Sequence, residues 1–73
     1  MNRDFYKKLG LRIKRLRRQR YLTQQQLAEI IGIGLNFLGK IEIAFSKPSL
    51  DTLIEIANAF EIEVSELTDF SEN

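Results

Sequence analysis

The sequence contains no cysteine and no histidine, and it has a single proline. Without cysteine no disulfide can stabilise the fold, and without either residue a zinc site would need carboxylates alone. No apolar run reaches the roughly 20 residues that span a membrane, and the N-terminus lacks the apolar segment of a signal peptide. These absences predict a cytoplasmic protein with no metal ion, no cofactor, no small-molecule ligand and no membrane partner.

An enzyme is not expected from this composition. The chain has no histidine or cysteine for acid–base or nucleophilic chemistry, and no glycine-rich loop that could hold a phosphate. Its 73 residues allow one domain, and a core of that size rarely contributes more than roughly 3–5 kcal/mol. We therefore expect a single domain over residues 1–73, with frayed ends at about 1–3 and 71–73, that gains stability by self-association.

The charged side chains are divided between the two ends of the chain, although the net charge is only +1. The segment 1–22 holds nine basic residues and one acidic residue, whereas the segment 50–73 holds seven acidic residues and no basic residue. Concentrated positive charge favours a polyanionic partner such as nucleic acid, and the acidic end would be kept away from it. The basic residues could also merely solvate a helix surface, so charge alone leaves both interpretations open.

Apolar residues recur at helical spacing, and no strand-like alternation or internal repeat occurs. A first helix that ends near Arg20 is predicted from one apolar stripe, made of Phe5, Leu9, Ile13 and Leu16. Thr23 and Gln26 have the spacing of a capping box, which starts a second helix that Gly32 ends. The inner face of this second helix is expected to be Leu27, Ala28 and Ile31.

Three further helices are predicted. The third begins near Leu35 after a short turn, directs Leu38 and Ile41 inward, and ends before the loop Phe45–Pro48. Ser49 is the expected cap of a fourth helix, whose predicted inner stripe is Leu50, Leu53, Ile54, Ala57 and Phe60. A short fifth helix is predicted to start at a Ser65 cap and to bury Leu67.

Two short helices joined by a glycine-containing turn can place the second helix in the major groove of DNA. The residues around this turn resemble the phage-repressor (Xre/Cro-like) helix-turn-helix family at Gln24, Leu27, Ala28, Ile31, Gly32, Ile33, Leu38 and Ile41. The flanking segments 9–17 and 48–53 are also similar to the family, so the likeness extends from about Phe5 to Phe70. The resemblance implies an all-α fold, a compact five-helix lambda-repressor-like domain whose second and third helices form the motif, with double-stranded DNA as its partner.

The resemblance also implies roles for individual side chains. The recognition helix would present four residues to base edges, namely Leu35, Asn36, Gly39 and Lys40. Asparagine can bond adenine with two hydrogen bonds, lysine can reach guanine or a phosphate, and leucine can contact a thymine methyl group. Contacts to the DNA backbone are expected from Gln24, Gln25, Arg15, Arg18, Ser46 and Lys47. Each of these residues could otherwise be an ordinary solvated surface residue.

Arg17 and Glu42 match the arginine late in the family's first helix and the acid near the end of its third. The resemblance implies a partly buried ion pair between them, with a structural role. Other positions depart from the family pattern: Gly34 replaces the usual hydroxyl cap, and the segment 43–45 is unusually apolar. The departures favour reading of thymine methyl groups and DNA shape, or contact of part of this surface with protein.

The expected function is sequence-specific transcriptional regulation, with the protein acting as a repressor that binds a palindromic operator as a homodimer. We expect a bacterial or phage-encoded protein associated with the nucleoid. The expected dimer interface contains Ile62, Val64 and Phe70, although these residues could equally belong to the core. The alternative is a protein-interaction module of the same fold, such as an antitoxin-like or anti-repressor partner. A membrane-surface role for the first helix is disfavoured, because that helix is needed to cover the core.

Overall fold

Five helices form between residues 3 and 71, the part of the chain that this computed structural model describes. They are α1 (Arg3–Gln19), α2 (Gln24–Ile31), α3 (Leu35–Glu42), α4 (Leu50–Phe60) and α5 (Val64–Leu67). No strand occurs in this range, so the all-α, five-helix fold is confirmed. The frayed ends expected at about 1–3 and 71–73 lie mostly outside it, except that α1 already begins at Arg3.

Side-chain caps set the starts of α2 and α4, as the sequence predicts. The Thr23 hydroxyl accepts from the Gln26 N–H over 3.0 Å, and the Gln26 side chain accepts from the Thr23 N–H over 2.8 Å. The Ser49 hydroxyl accepts from the Thr52 N–H over 3.1 Å at the start of α4. These bonds satisfy backbone donors that a helix start otherwise leaves to water.

The predicted cap of α5 was wrong. Ser65 lies inside α5, and the cap residue is Glu63, whose side chain and backbone form a reciprocal capping box with Glu66. The Glu63 N–H donates to the Glu66 carboxylate over 3.2 Å. A glutamate at the cap position can accept a backbone hydrogen bond as a serine does, so the preference for hydroxyl residues placed the cap two residues too late.

The core lies between all five helices and consists of twelve buried apolar residues: Leu9, Ile13, Leu16, Leu27, Ala28, Ile31, Leu38, Ile41, Ile56, Ala57, Phe60 and Leu67. The predicted stripe of α4 needs correction. Leu50 and Ile54 are 66% and 39% exposed, whereas Ile56, which was not predicted as a core residue, is fully buried. Because α4 carries apolar residues on more than one side, periodicity alone does not fix its rotation about its axis.

Gly10 lets α1 approach α3 closely. A Cβ atom at this position would lie 2.6 Å from the Ile41 carbonyl oxygen and would also collide with the carbonyl of Glu42. Both obstacles are backbone atoms, which cannot rotate away as a side chain can. The glycine is therefore needed for the contact between these helices, and its weakening effect on α1 is offset by their packing.

A buried ion pair also joins α1 to α3. Arg17 donates from Nε to Glu42 Oε2 over 2.7 Å and from Nη2 to Glu42 Oε1 over 3.1 Å. Its remaining Nη1 donates to the Leu22 carbonyl over 2.8 Å, which fixes the turn before α2. The Glu42 side chain is only 1% exposed, so its charge depends on these protein partners instead of water.

Two other arginines, Arg12 in α1 and Arg20 directly after it, hold the C-terminal helices. Arg12 donates to the Glu66 carbonyl over 2.9 Å, and Arg20 donates to the Phe60 carbonyl over 3.0 Å. The Arg20 guanidinium also lies 4.8 Å from the centroid of the Phe60 ring. Part of the positive charge of the basic N-terminal segment is therefore committed to the fold, because these two guanidinium groups bond carbonyls at the ends of α4 and α5.

We predict that Gly10→Ala lowers the free energy of unfolding by about 1–3 kcal/mol or more, because the added methyl group forces α1 away from α3. The matched control is Gly39→Ala, a helix-interior site where an added Cβ meets only the Gln24 side chain at 3.8 Å. Gly39→Ala should raise the free energy of unfolding by roughly 0.5–1 kcal/mol, because alanine has a higher helix propensity than glycine. Urea denaturation measures both, and equal effects of the two variants would contradict the packing argument.

We predict that Arg17→Ala lowers the free energy of unfolding by about 3–5 kcal/mol, because it leaves a buried carboxylate without its cation. Lys8→Ala breaks the exposed pair with Asp4, whose charged atoms are 3.9 Å apart, and should change stability by less than about 1 kcal/mol. The double variant Arg17→Met/Glu42→Leu should be more stable than Arg17→Ala. Chemical denaturation measures the free energy of unfolding of the three variants. A decrease of less than about 1 kcal/mol for Arg17→Ala would refute the stabilising role of the buried ion pair.

Candidate nucleic-acid interface

The turn between α2 and α3 is only three residues long, because a glycine adopts a left-handed conformation there. Gly32 has a φ of 86°, and its N–H donates to the Ala28 carbonyl over 2.8 Å. Gly34 precedes α3 in an extended conformation and supplies no side-chain cap, as its sequence position suggested. The glycine pair therefore turns the chain sharply enough for α3 to start at Leu35 and pack across α2.

The outer side of α3 holds the four residues that were predicted to read bases. Leu38, Ile41 and Glu42 are buried on the inner side of the helix. Leu35, Asn36 and Lys40 are exposed, and Gly39 is half-buried between them. Phe37 does not share this surface, because it is half-buried and packs against the core. The outer side of α3 thus offers an amide, an ammonium group and a leucine side chain to a partner.

Gln24 connects the start of α2 to the buried ion pair. Its Nε2 donates to Glu42 Oε1 over 2.9 Å, and its side-chain amide lies 3.8 Å from the position of a Cβ at Gly39. Gln24 is half-buried, in contrast to the solvated glutamine that the sequence left as an alternative. Sequence reasoning missed this bond, because it depends on the distance between the start of α2 and the end of α3.

The other candidate backbone contacts lie at the edges of the motif. Gln25 is exposed in the first turn of α2, where its amide donates to Glu29 over a long 3.4 Å. Ser46 and Lys47 follow α3, and the Ser46 N–H donates to the Lys40 carbonyl over 3.2 Å. The Lys47 ammonium lies 5.4 Å from the centroid of the Tyr6 ring. Polar groups therefore border the outer side of α3 in both neighbouring segments.

The segment after α3 also exposes apolar side chains. Ile43 and Phe45 are 74% and 75% exposed, and Ala44 between them has a φ of 63°. The Lys40 ammonium lies 5.7 Å from the centroid of the Phe45 ring, which is within cation–π distance. The unusually apolar segment 43–45 seen in the sequence is thus a surface feature beside α3.

Arg15 and Arg18 are not brought together with α3. They line a shallow groove made by α1 alone, with Leu11, Lys14 and Gln19 as the other lining residues. The sides of α1 that carry Gly10 and Arg17 face α3, as their contacts with Ile41 and Glu42 show. The predicted backbone contacts at Arg15 and Arg18 stay predictions, and these residues lie on a separate surface.

The three residues predicted for a dimer interface are half-buried. Ile62, Val64 and Phe70 all pack against the core, and the Phe70 ring meets the Phe5 ring edge-on with centroids 5.4 Å apart. Phe60, whose place in the core the sequence favoured, is only 2% exposed. The part of these side chains available to a second copy is therefore limited to their outer edges.

Residues 3–71 show neither of two other kinds of functional feature. None of the helices in this range is both long and apolar enough to cross a membrane. The same residues contain no group of three or more histidine, cysteine, aspartate or glutamate side chains close enough together to hold a metal ion.

Comparison with known proteins agrees with this geometry. The profile of the helix-turn-helix family HTH_3 matches residues 13–67. The chain is 46% identical over 57 residues to the immunity repressor protein of Bacillus phage phi105, and the matched region covers 78% of this chain and 40% of that protein. Over 59 residues it is 34% identical to the HTH-type transcriptional regulator ImmR of Bacillus subtilis, covering 81% of this chain and 46% of that protein.

A solved structure shows the same fold. The restriction-modification controller protein C.AhdI from Aeromonas hydrophila superposes with a TM-score of 0.82 at 32% identity, covering 85% of this chain and 94% of that one. The chain spans less than half the length of the curated relatives it matches. Because the family profile covers most of the five-helix fold and the whole α2–turn–α3 unit, the chain belongs to the HTH_3 family of helix-turn-helix proteins.

Proposed function

We propose that the chain is a sequence-specific double-stranded DNA-binding regulator of transcription that inserts α3 into the major groove. The observation that carries the proposal is the division of α3 into a fixed inner side and an exposed outer side. The inner side is held by the core and by the Arg17–Glu42 pair, whereas Asn36 and Lys40 are exposed on the outer side. A rigid helix with exposed hydrogen-bonding groups is what major-groove recognition requires.

The backbone of DNA would contact the segments that border α3. Gln24 and Gln25 lie in the first turn of α2, where backbone N–H groups and the helix dipole favour a phosphate. The bond from Gln24 to Glu42 fixes the direction of the glutamine side chain before DNA arrives. Ser46 and Lys47 would bind phosphates after α3. We leave Arg15 and Arg18 out of this surface, since their groove is formed by α1 alone.

A repressor that acts as a homodimer on a palindromic operator is the most specific form of the proposal. The similarity to a phage immunity repressor supports repression. A second copy is supported by the short length of α3, since one eight-residue helix contacts only a few base pairs. The outer edges of Ile62, Val64 and Phe70 are the proposed contact between copies. A protein that binds DNA in this way would be found on the nucleoid of a bacterial cell.

One observation favours the alternative function, a protein-interaction module. Ile43 and Phe45 expose most of their apolar surface beside α3, which is unusual for a surface that meets only the sugar–phosphate backbone. Phe37 does not add to this exposed apolar surface, because it packs against the core. If the alternative holds, selection from random DNA sequences yields no preferred site.

Selection from random duplex DNA is expected to yield a palindrome with half-sites about 10–11 base pairs apart. On the selected site, Asn36→Ala should lower affinity about 5- to 150-fold and relax the preference at one base position. Lys47→Ala should weaken binding to all DNA sequences alike. It should also reduce the slope of the logarithm of the binding constant against the logarithm of the salt concentration by about one unit. Fluorescence anisotropy over a range of salt concentrations measures both effects.

Lys8→Ala is the matched control, because it removes one positive charge from an exposed position of α1 that is not part of the proposed interface. It should leave sequence preference unchanged. If Asn36→Ala leaves affinity and base preference unchanged while Lys8→Ala and Lys47→Ala weaken binding equally, binding depends on charge alone and readout by α3 is refuted.

The homodimer makes a separate prediction. Val64→Asn should raise the dimer dissociation constant by at least about tenfold, because it places a polar group at the outer edge of the proposed interface. Circular dichroism checks that the variant is folded, and sedimentation equilibrium measures the dimer. A folded variant with an unchanged dimer would remove this interface from the proposal without affecting DNA binding by α3.

A further inference from the structure

Two exposed helix surfaces are used neither by the core nor by the proposed DNA contact. The first, the α1 outer face, consists of Leu11, Lys14, Arg15 and Arg18. Leu11 is 59% exposed at its centre, and the other three residues are cationic. Residues Leu11 and Arg18 are two helical turns apart, so they lie on the same side of α1, away from the helices that α1 contacts.

The second surface, the α4 outer face, consists of Leu50, Asp51, Ile54 and Glu55. Leu50 and Ile54 are one helical turn apart and are 66% and 39% exposed. Asp51 and Glu55 have the same spacing and are exposed beside them. No basic residue occurs in α4, so these carboxylates have no cation within their own helix.

We propose that the α1 outer face of one copy of the chain binds the α4 outer face of a second copy. Each face is a helix surface with an apolar centre and charges of one sign beside it, and the two signs are opposite. Leu11 would cover Leu50 and Ile54, while the cations of α1 meet the two carboxylates of α4. Complementary charge around a small apolar centre is the usual composition of an interface between proteins.

Pairing of like faces is excluded by the same charges. Two α4 outer faces related by a two-fold axis would bring four carboxylates together around the apolar residues, and two α1 outer faces would bring together cations. Like charges placed opposite each other weaken association strongly. The contact therefore joins different surfaces, so each copy keeps one α1 face and one α4 face for further neighbours.

The test uses charge reversal on each face in turn. Sedimentation velocity at increasing protein concentration should show association of the native chain beyond the proposed homodimer, and this further association should weaken as salt increases. Lys14→Glu/Arg18→Glu and Asp51→Lys/Glu55→Lys should each weaken this association by roughly a hundredfold, since each variant presents like charges on both faces. The variant that carries all four substitutions should associate again, because opposite charges face each other once more.

Leu11→Ser tests the apolar centre, and Ile43→Ser is its control, because Ile43 is a still more exposed apolar residue outside both faces. Only Leu11→Ser should reduce association. The proposal is overturned if the fourfold variant stays dissociated, if Ile43→Ser has the same effect as Leu11→Ser, or if Lys14→Glu/Arg18→Glu lowers DNA affinity and leaves association unchanged. The last result would show that the α1 outer face is a DNA surface.

Discussion

The position of α3 depends on one buried carboxylate. Glu42 ends this helix with a side chain that is 1% exposed, and its two oxygens accept hydrogen bonds from Arg17 in α1 and Gln24 in α2. A buried charge is tolerated only when such partners replace water, so the three helices are fixed relative to one another. Because Gly10 lets α1 lie directly on the backbone of α3, the guanidinium reaches the carboxylate without bending either helix. The outer side of α3 is consequently presented in one orientation.

The distribution of charge has more than one physical use. The segment 1–22 holds nine basic residues, a concentration of positive charge that favours a polyanionic partner such as nucleic acid. Three of its arginines instead bond protein acceptors in the structure, at Glu42, at the Phe60 carbonyl and at the Glu66 carbonyl. The basic segment therefore stabilises the fold through these three arginines and also carries exposed positive charge. Only the exposed charge is available to partners.

The boundaries of α2 could be predicted from local signals in the sequence, whereas the Glu63 cap of α5 was missed. The capping box at Thr23 and the left-handed Gly32 depend on neighbouring residues alone, and both occur as predicted. The rotation of α4 about its axis could not be predicted, because this helix carries apolar residues on more than one side. Only packing against the other helices decides that Ile56 is buried and Leu50 is exposed. The link from Gln24 to Glu42 was missed for a related reason: it joins residues 18 positions apart through tertiary contact.

The most direct test of the account is the map of backbone amide chemical shifts when the selected operator is titrated into the labelled chain. The account predicts the largest changes from Leu35 to Lys40 and at Gln24, with small changes in α5. It also predicts that the Arg17 side-chain Nε–H signal, which reports the pair with Glu42, persists in the complex. Changes confined to the α1 outer face, with α3 unaffected, would contradict recognition of DNA by α3.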